Sequence, residues 1–118
     1  MVPKVPLLAG SDAFKWYGAG QVIFEEGDAG NCMYSVKKGL VEIVAGGEVL
    51  ETLEAGHVFG EMALVDKQPR SATARAKTDC QIVAIDERRF VFLVQQTPMF
   101  ALQIMKVLTE RLRRATRG

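Results

Sequence analysis

The decisive stretch of this sequence is residues 56–76, which read GHVFGEMALVDKQPRSATARA. An apolar, strand-like run ends at Gly60, and the next five residues are helix formers. Pro69 ends this helix because it removes a backbone donor, and Arg70 opens the next strand-like run. The pattern predicts a short helix inserted between two strands.

Short apolar-alternating runs separated by glycines lie on both sides of this segment. The two-residue link Gly46-Gly47 between two alternating runs indicates a hairpin, because a tight hairpin turn needs positive φ values. Several short strands with turn signals between them favour an antiparallel β-roll or jelly roll, here over residues 13–85. The predicted strands are Phe14–Tyr17, Gln21–Phe24, Met33–Val36, Leu40–Val44, Val49–Leu53, His57–Phe59, Ala72–Ala76 and Gln81–Ile85.

The periodicity changes to that of helices after residue 85. Asp86 can cap a helix over residues 87–96, and Thr97 can cap a second helix over residues 98–114 that has proline at its first position. The expected fold class is therefore mainly β, with about eight strands, one short inserted helix and two helices at the C-terminus. One apolar face of the last helix should pack on the roll, namely Ala101, Ile104, Met105, Leu108 and Leu112.

Length and composition set limits on the class of protein. A chain of 118 residues with 48% hydrophobic and 25% charged side chains predicts one domain over residues 1–118. The net charge is +1, and the basic residues after position 105 suit a helix C-terminus better than a nucleic-acid arm. Cys32 and Cys80 have no metal or redox spacing, which predicts buried thiols in a reducing compartment. No apolar run approaches the ~20 residues that cross a bilayer, so we expect a cytoplasmic protein without a membrane segment.

The segment from Gly60 to Arg70 has the features of an anion site. A glycine lets the backbone approach a ligand, and the first N–H groups of a helix lack partners within it. The planar fork of Arg70 suits two phosphate oxygens. Glu61 would repel phosphate and needs a hydroxyl donor, which a ribose supplies, so the combination indicates a nucleotide. A plain turn at Gly60 with a surface Arg70–Glu61 pair is the alternative.

The runs FGEMAL at 59–64 and PRSAT at 69–73 resemble the phosphate-binding cassette of cyclic nucleotide-binding domains. That family includes the catabolite activator protein, regulatory subunits of cAMP-dependent protein kinase and cyclic nucleotide-gated channels. The resemblance covers about residues 13–114. No helical bundle is expected before the roll and no helix-turn-helix after it, so the output is left open. Flanking features agree with the resemblance: Gly27-Asp28, Tyr34, Gly39, Gly56 and Lys77-Thr78.

The resemblance implies a role for each residue of the cassette. Gly60 and Glu61 receive the ribose, and the Glu61 carboxylate accepts a hydrogen bond from its 2′-hydroxyl. The backbone around Met62 and Ala63 receives the cyclic phosphate. The guanidinium of Arg70 pairs with that phosphate.

The resemblance also implies contacts with the base. Ser71 bonds the phosphate or the base, and Ile43 and Leu50 line the base pocket. Arg111 lies on a C-terminal lid near base and ribose. For Ile43 and Leu50 a core role is an equal alternative, and for Arg111 the alternative is a solvated helix end.

The leading interpretation is a non-catalytic sensor that binds a cyclic nucleotide, cAMP more tightly than cGMP, and signals to an effector protein. No cofactor, metal or DNA-binding domain is expected in this chain. The alternatives are a small cupin-like enzyme and a ligand-free scaffold roll. A cupin needs several histidines or carboxylates that converge on a metal, whereas His57 is the single histidine of the sequence.

Overall fold

The computed structural model describes residues 4–5 and 13–116 of the chain. Within them the chain forms eight strands and three helices. In chain order these are β1 (Lys15–Tyr17), β2 (Val22–Phe24), β3 (Cys32–Lys38), β4 (Val41–Ala45), β5 (Glu48–Leu53), β6 (Val58–Phe59), α1 (Glu61–Asp66), β7 (Thr73–Ala76), β8 (Cys80–Asp86), α2 (Glu87–Gln96) and α3 (Met99–Thr116).

The strands form two four-stranded antiparallel sheets. One sheet has the order β1-β8-β3-β6 and the other has the order β2-β7-β4-β5. The last three strands pair with strands that are not their neighbours in the sequence, as β8 does with both β1 and β3. This arrangement confirms the predicted mainly-β roll with a short inserted helix and C-terminal helices.

The predicted hairpin around Gly46-Gly47 is present as β4 and β5. Ala45 pairs with Glu48 across the turn, and the two glycines have φ values of 58° and 78°. Both values lie in the left-handed region, where a side chain is disfavoured. The register shifts between Ile43, which pairs with Glu51, and Val44, which pairs with Val49, so Leu50 of β5 is the extra residue. The hairpin therefore forms where the alternation and the glycines indicated it.

Neighbouring residues of β6 point into two separate cores. Phe59 belongs to the core between the two sheets, and Val58 belongs to the core between the first sheet and the helices. This division follows from the period-2 alternation of a strand that is buried on both faces.

The two cysteines differ in burial. Cys80 is fully buried in the core between the two sheets, as predicted, whereas Cys32 is only partly buried, so that part of the prediction was wrong.

The packed face of α3 differs from the predicted one. Phe100, Ile104 and Val107 are buried, whereas Met105 and Leu112 are 57% and 66% exposed. The ring of Phe100 lies 5.3 Å from the ring of Phe90 on α2, and this contact fixes the rotation of α3 about its axis. The prediction was wrong for Met105 and Leu112 because the apolar positions on this helix define two overlapping faces. Ala101 and Leu108 are partly buried between those faces.

The boundaries of the C-terminal helices lie close to the predicted ones. The Asp86 side chain accepts a hydrogen bond from the backbone N–H of Arg89 at 2.8 Å, which is the expected N-terminal cap of α2. The last helix begins at Met99 and continues to Thr116, two residues beyond the predicted end. In the described part of the chain, every helix is too short or too polar to span a membrane.

Candidate functional site

A cavity of about 260 Å³ opens between the second sheet, α1 and α3. The strands β2, β4 and β5 provide its apolar wall, and α1 with the following loop provides the opposite side. The nine residues that sequence reasoning assigned to a site all line this one cavity: Ile43, Leu50, Gly60, Glu61, Met62, Ala63, Arg70, Ser71 and Arg111.

Arg70 is a buried cation on the floor of this cavity. Its side chain is 5% exposed, and its two terminal nitrogens donate to the backbone carbonyls of Gly60 at 2.9 Å and Cys32 at 2.7 Å. Among the described residues, no carboxylate forms an ion pair with Arg70, and its Nε has no hydrogen-bond partner. The alternative of a surface Arg70–Glu61 pair was therefore wrong.

Two backbone hydrogen bonds to the Gly27-Asp28 turn fix the main chain at Arg70. Its N–H donates to the Asp28 carbonyl at 2.8 Å, and its own carbonyl accepts from the Gly27 N–H at 2.7 Å. The guanidinium carbon lies 4.2 Å from the ring centre of Phe24 and 5.5 Å from that of Tyr34. Such cation–π contacts stabilise a desolvated guanidinium. Burial beneath this cluster also raises the pKa of Tyr34 well above its usual value.

Two glycines make room for the guanidinium. Gly60 has a φ of 74°, and a Cβ atom built on it would lie 2.7 Å from a terminal nitrogen of Arg70. A Cβ atom on Gly30 would lie 2.5 Å from Nε. A side chain at either position would displace Arg70. Sequence reasoning identified Gly60 but missed Gly30, since no local pattern shows which distant side chain will lie against it.

Glu61 is a buried carboxylate that is paired with Arg111. The Glu61 side chain is 2% exposed, and its Oε1 accepts a hydrogen bond from a terminal nitrogen of Arg111. The other terminal nitrogen of Arg111 donates to the Val58 carbonyl at 2.6 Å. A carboxylate oxygen offers more than one acceptor position, so Glu61 can take a hydroxyl donor in addition to Arg111.

Arg111 reaches the cavity because it continues the buried face of α3. Phe100, Ile104 and Val107 lie on that face, and Arg111 follows one turn later. Its Nε is 3.8 Å from Oε2 of Glu51, whose Oε1 accepts a hydrogen bond from Arg114 at 3.0 Å. The alternative of a solvated helix end was wrong for Arg111, because its side chain is held between two carboxylates.

Sequence reasoning missed several residues that line the cavity. Phe24 and Phe59 face it from the strands, and their alternation predicted burial without showing what they would contact. Glu51 fits the alternation expected of a strand, but it belongs to no local sequence motif that would mark it as a site residue. Asp66, Gln68, Pro69 and Ala72 complete the lining beside the predicted cassette residues.

His57 is buried and does not line the cavity. Its Nδ1 accepts a hydrogen bond from the Glu54 backbone N–H at 3.0 Å in the turn before β6. The described residues contain no cluster of three or more histidine, cysteine or acidic side chains placed to hold a metal ion. His57 therefore helps to shape a turn.

A family model for the cyclic nucleotide-binding domain matches residues 14–97. The cyclic AMP receptor protein of Thermus thermophilus is 36% identical over 104 residues, which cover 84% of this chain and 48% of that protein. The cAMP-dependent protein kinase regulatory subunit of Schizosaccharomyces pombe is 32% identical over 102 residues, which cover 76% of this chain and 25% of that protein.

The similarity extends to three-dimensional structure. The crystal structure of the Thermus thermophilus catabolite activator protein matches with a TM-score of 0.79 and 32% identity, over 94% of this chain and 60% of that one. The chain thus spans about half the length of the Thermus receptor protein and a quarter of the kinase subunit. Since the family model covers well over half of the chain, the chain belongs to the cyclic nucleotide-binding domain family.

Proposed function

We propose that this chain binds a cyclic nucleotide, cAMP in preference to cGMP, and acts as a non-catalytic cytoplasmic sensor. The observation that carries the proposal is the buried Arg70 cation, which has no acidic partner among the described residues. A buried charge without a counter-ion is costly. An anion in the adjoining cavity would compensate it, and a cyclic phosphate is small enough to lie beside α1.

The second recognition element is Glu61. Its buried carboxylate would repel an anion placed beside it, so its remaining acceptor position suits a neutral hydroxyl donor. A ribose 2′-hydroxyl is such a donor, and the other contact of the carboxylate is Arg111. Phosphate on Arg70 and hydroxyl on Glu61 fit a nucleotide, and membership of the cyclic nucleotide-binding domain family supports the cyclic form.

The base would lie against the wall formed by Ile43 and Leu50. Both side chains are apolar and offer no acceptor, so any extra N–H group of guanine that faces them stays unpaired, at a cost of roughly 1–3 kcal/mol. We therefore expect a preference for cAMP of about tenfold, or 1.4 kcal/mol. The names of the Thermus and Schizosaccharomyces relatives refer to cAMP and that of a Drosophila melanogaster relative refers to cGMP, so the proposed preference rests on the wall.

The sensor role rests on the connection between the cavity and the C-terminal helices. Arg111 of α3 contacts Glu61 of α1, and Leu64 of the same short helix belongs to the core that includes Phe100. Phe90 and other side chains of α2 pack against that core. If a bound nucleotide stabilises one position of α3 more than another, it increases the population of that position. An effector protein would then recognise α3 in that position.

Calorimetric titration of the purified chain with cAMP and cGMP tests the proposal. We expect one nucleotide per chain, tighter binding of cAMP, and recovery of the nucleotide unchanged after prolonged incubation. Failure of both nucleotides to bind would refute the binding function, and conversion of bound nucleotide to product would refute the non-catalytic role.

A further inference from the structure

Glu51 is one of the carboxylates that line the cavity. It lies on β5 next to Leu50, and its side chain is 16% exposed. Its Oε1 accepts a hydrogen bond from Arg114 at 3.0 Å. Its Oε2 lies 3.8 Å from Nε of Arg111, which is beyond hydrogen-bond distance. One oxygen of this carboxylate is therefore held in place while the other can accept a further donor.

The position of Glu51 places that oxygen beside the third part of a bound nucleotide. The anionic part of the ligand belongs at Arg70 and the hydroxyl at Glu61. The planar base must then lie along the remaining apolar wall, where Ile43 and Leu50 flank Glu51 on the β4–β5 hairpin. Glu51 is thus the acidic side chain that this hairpin contributes to the cavity.

We infer that Glu51 determines specificity for the base by accepting a hydrogen bond from the amino group of adenine; this inference rests on the proposed function. Adenine carries an N–H donor at position 6, where guanine carries a carbonyl acceptor. An ionised carboxylate only accepts hydrogen bonds. A carboxylate oxygen that faces position 6 therefore complements adenine and opposes guanine, whereas one that faced N1 and the 2-amino group would favour guanine, and titration with cGMP separates the two cases. Arg114 already donates to Oε1, so Oε2 is the oxygen with both acceptor positions open, and it can take one amino group.

Three ligands separate this role from a general effect on the site. We propose titrations with cAMP, with cGMP and with the 3′,5′-cyclic phosphate of purine riboside, which lacks the amino group. Wild type should bind cAMP about tenfold more tightly than the purine riboside analogue, a difference of 1.4 kcal/mol. Glu51→Gln should lower the affinity for cAMP about tenfold and leave that for the analogue within about threefold. The amide that this substitution introduces also offers a donor to the guanine carbonyl, so the variant should bind cGMP no more weakly than wild type does.

The matched control is Glu48→Gln, which makes the same change on the same strand at an exposed position outside the cavity. It should leave all three affinities within about twofold. Equal losses of cAMP and the analogue in Glu51→Gln would mean that Glu51 only positions α3, and would overturn the inference. A larger loss for cGMP than for cAMP would overturn it as well.

Wild-type protein alone keeps the inference testable if the variant misfolds. Equal affinity of wild type for cAMP and for the purine riboside analogue would refute a contact with the amino group. If wild type binds none of the three ligands, the proposed function fails, and that result is distinct from a loss of discrimination between them.

Discussion

Replacing Arg70 with methionine should remove most of the affinity for a nucleotide. Methionine keeps an unbranched apolar stem beside Phe24, but it removes the charge and both hydrogen bonds to the carbonyls of Gly60 and Cys32. Removing one partner of a buried charge pair costs about 2–5 kcal/mol of affinity. Since 1.4 kcal/mol is a factor of ten, the affinity should fall at least about 30-fold.

The same substitution should change the stability of the ligand-free protein much less. The two carbonyls lose charged donors, each worth roughly 1.5–3 kcal/mol. In the opposite direction, removing a buried charge without an acidic partner relieves a desolvation cost of several kcal/mol. These effects oppose each other, so we expect the free energy of unfolding to change by no more than about 2 kcal/mol.

Thermal unfolding with and without cAMP measures both quantities. At a concentration of about 100 times the wild-type Kd, the ligand adds about 2.7 kcal/mol to the stability of wild type, but only about 0.9 kcal/mol to that of a variant that binds 30-fold more weakly. At about 4 °C per kcal/mol, Tm should rise by about 11 °C for wild type and by about 4 °C for Arg70→Met. The control is Arg75→Met, which alters an arginine paired with Glu42 outside the cavity and should keep the full rise. An Arg70→Met protein that shows the wild-type rise would refute the assignment of the anion to Arg70.

Glu61→Gln should lower the affinity for cAMP about fivefold and spare 2′-deoxy-cAMP, because a charged acceptor is worth about 1 kcal/mol more than a neutral one; equal losses in calorimetry would show that Glu61 does not read the hydroxyl. Amide hydrogen exchange across residues 106–116 should slow at least about threefold when cAMP is added, since a ligand beside Arg111 stabilises this end of α3; protection limited to residues 60–73 would contradict the lid. Ser71→Ala should lower the affinity for cGMP about threefold and leave the affinity for cAMP unchanged, because the hydroxyl can accept a hydrogen bond from the guanine 2-amino group. If wild type binds cGMP more tightly than cAMP and Ser71→Ala abolishes that difference, the argument from the apolar wall is refuted.

The parts of the fold that sequence predicted are those that local physics determines. The turn at Gly46-Gly47 requires positive φ values, and the Asp86 side chain satisfies a free N–H at the start of α2. The short helix α1 begins where Gly60 adopts a left-handed conformation that few other residues accept. Each of these signals lies within a few residues of the element that it defines, so a single sequence is enough to find it.

The network around Arg111 could not be predicted in the same way. Glu61 and Glu51 lie 50 and 60 positions before Arg111, and no local pattern sets the register between α3 and the sheets. The apolar positions of α3 allowed two faces, and the contact between Phe90 and Phe100 selects the one that carries Arg111 inward. Long-range packing therefore decides which charged side chain of the helix reaches the cavity.

The Arg111–Glu61 pair limits how ligand binding can act on α3. The pair joins Arg111 of α3 to Glu61 of α1, on the side of the cavity where the ribose would lie. A 2′-hydroxyl can share the Glu61 carboxylate with Arg111, so binding need not break the pair. A ligand shifts a conformational equilibrium only by its difference in affinity for the two states. The difference in affinity must then come from contacts between α3 and the base, near the ion pairs of Arg111 and Arg114 with Glu51. Base recognition and lid closure would in this way depend on the same carboxylate.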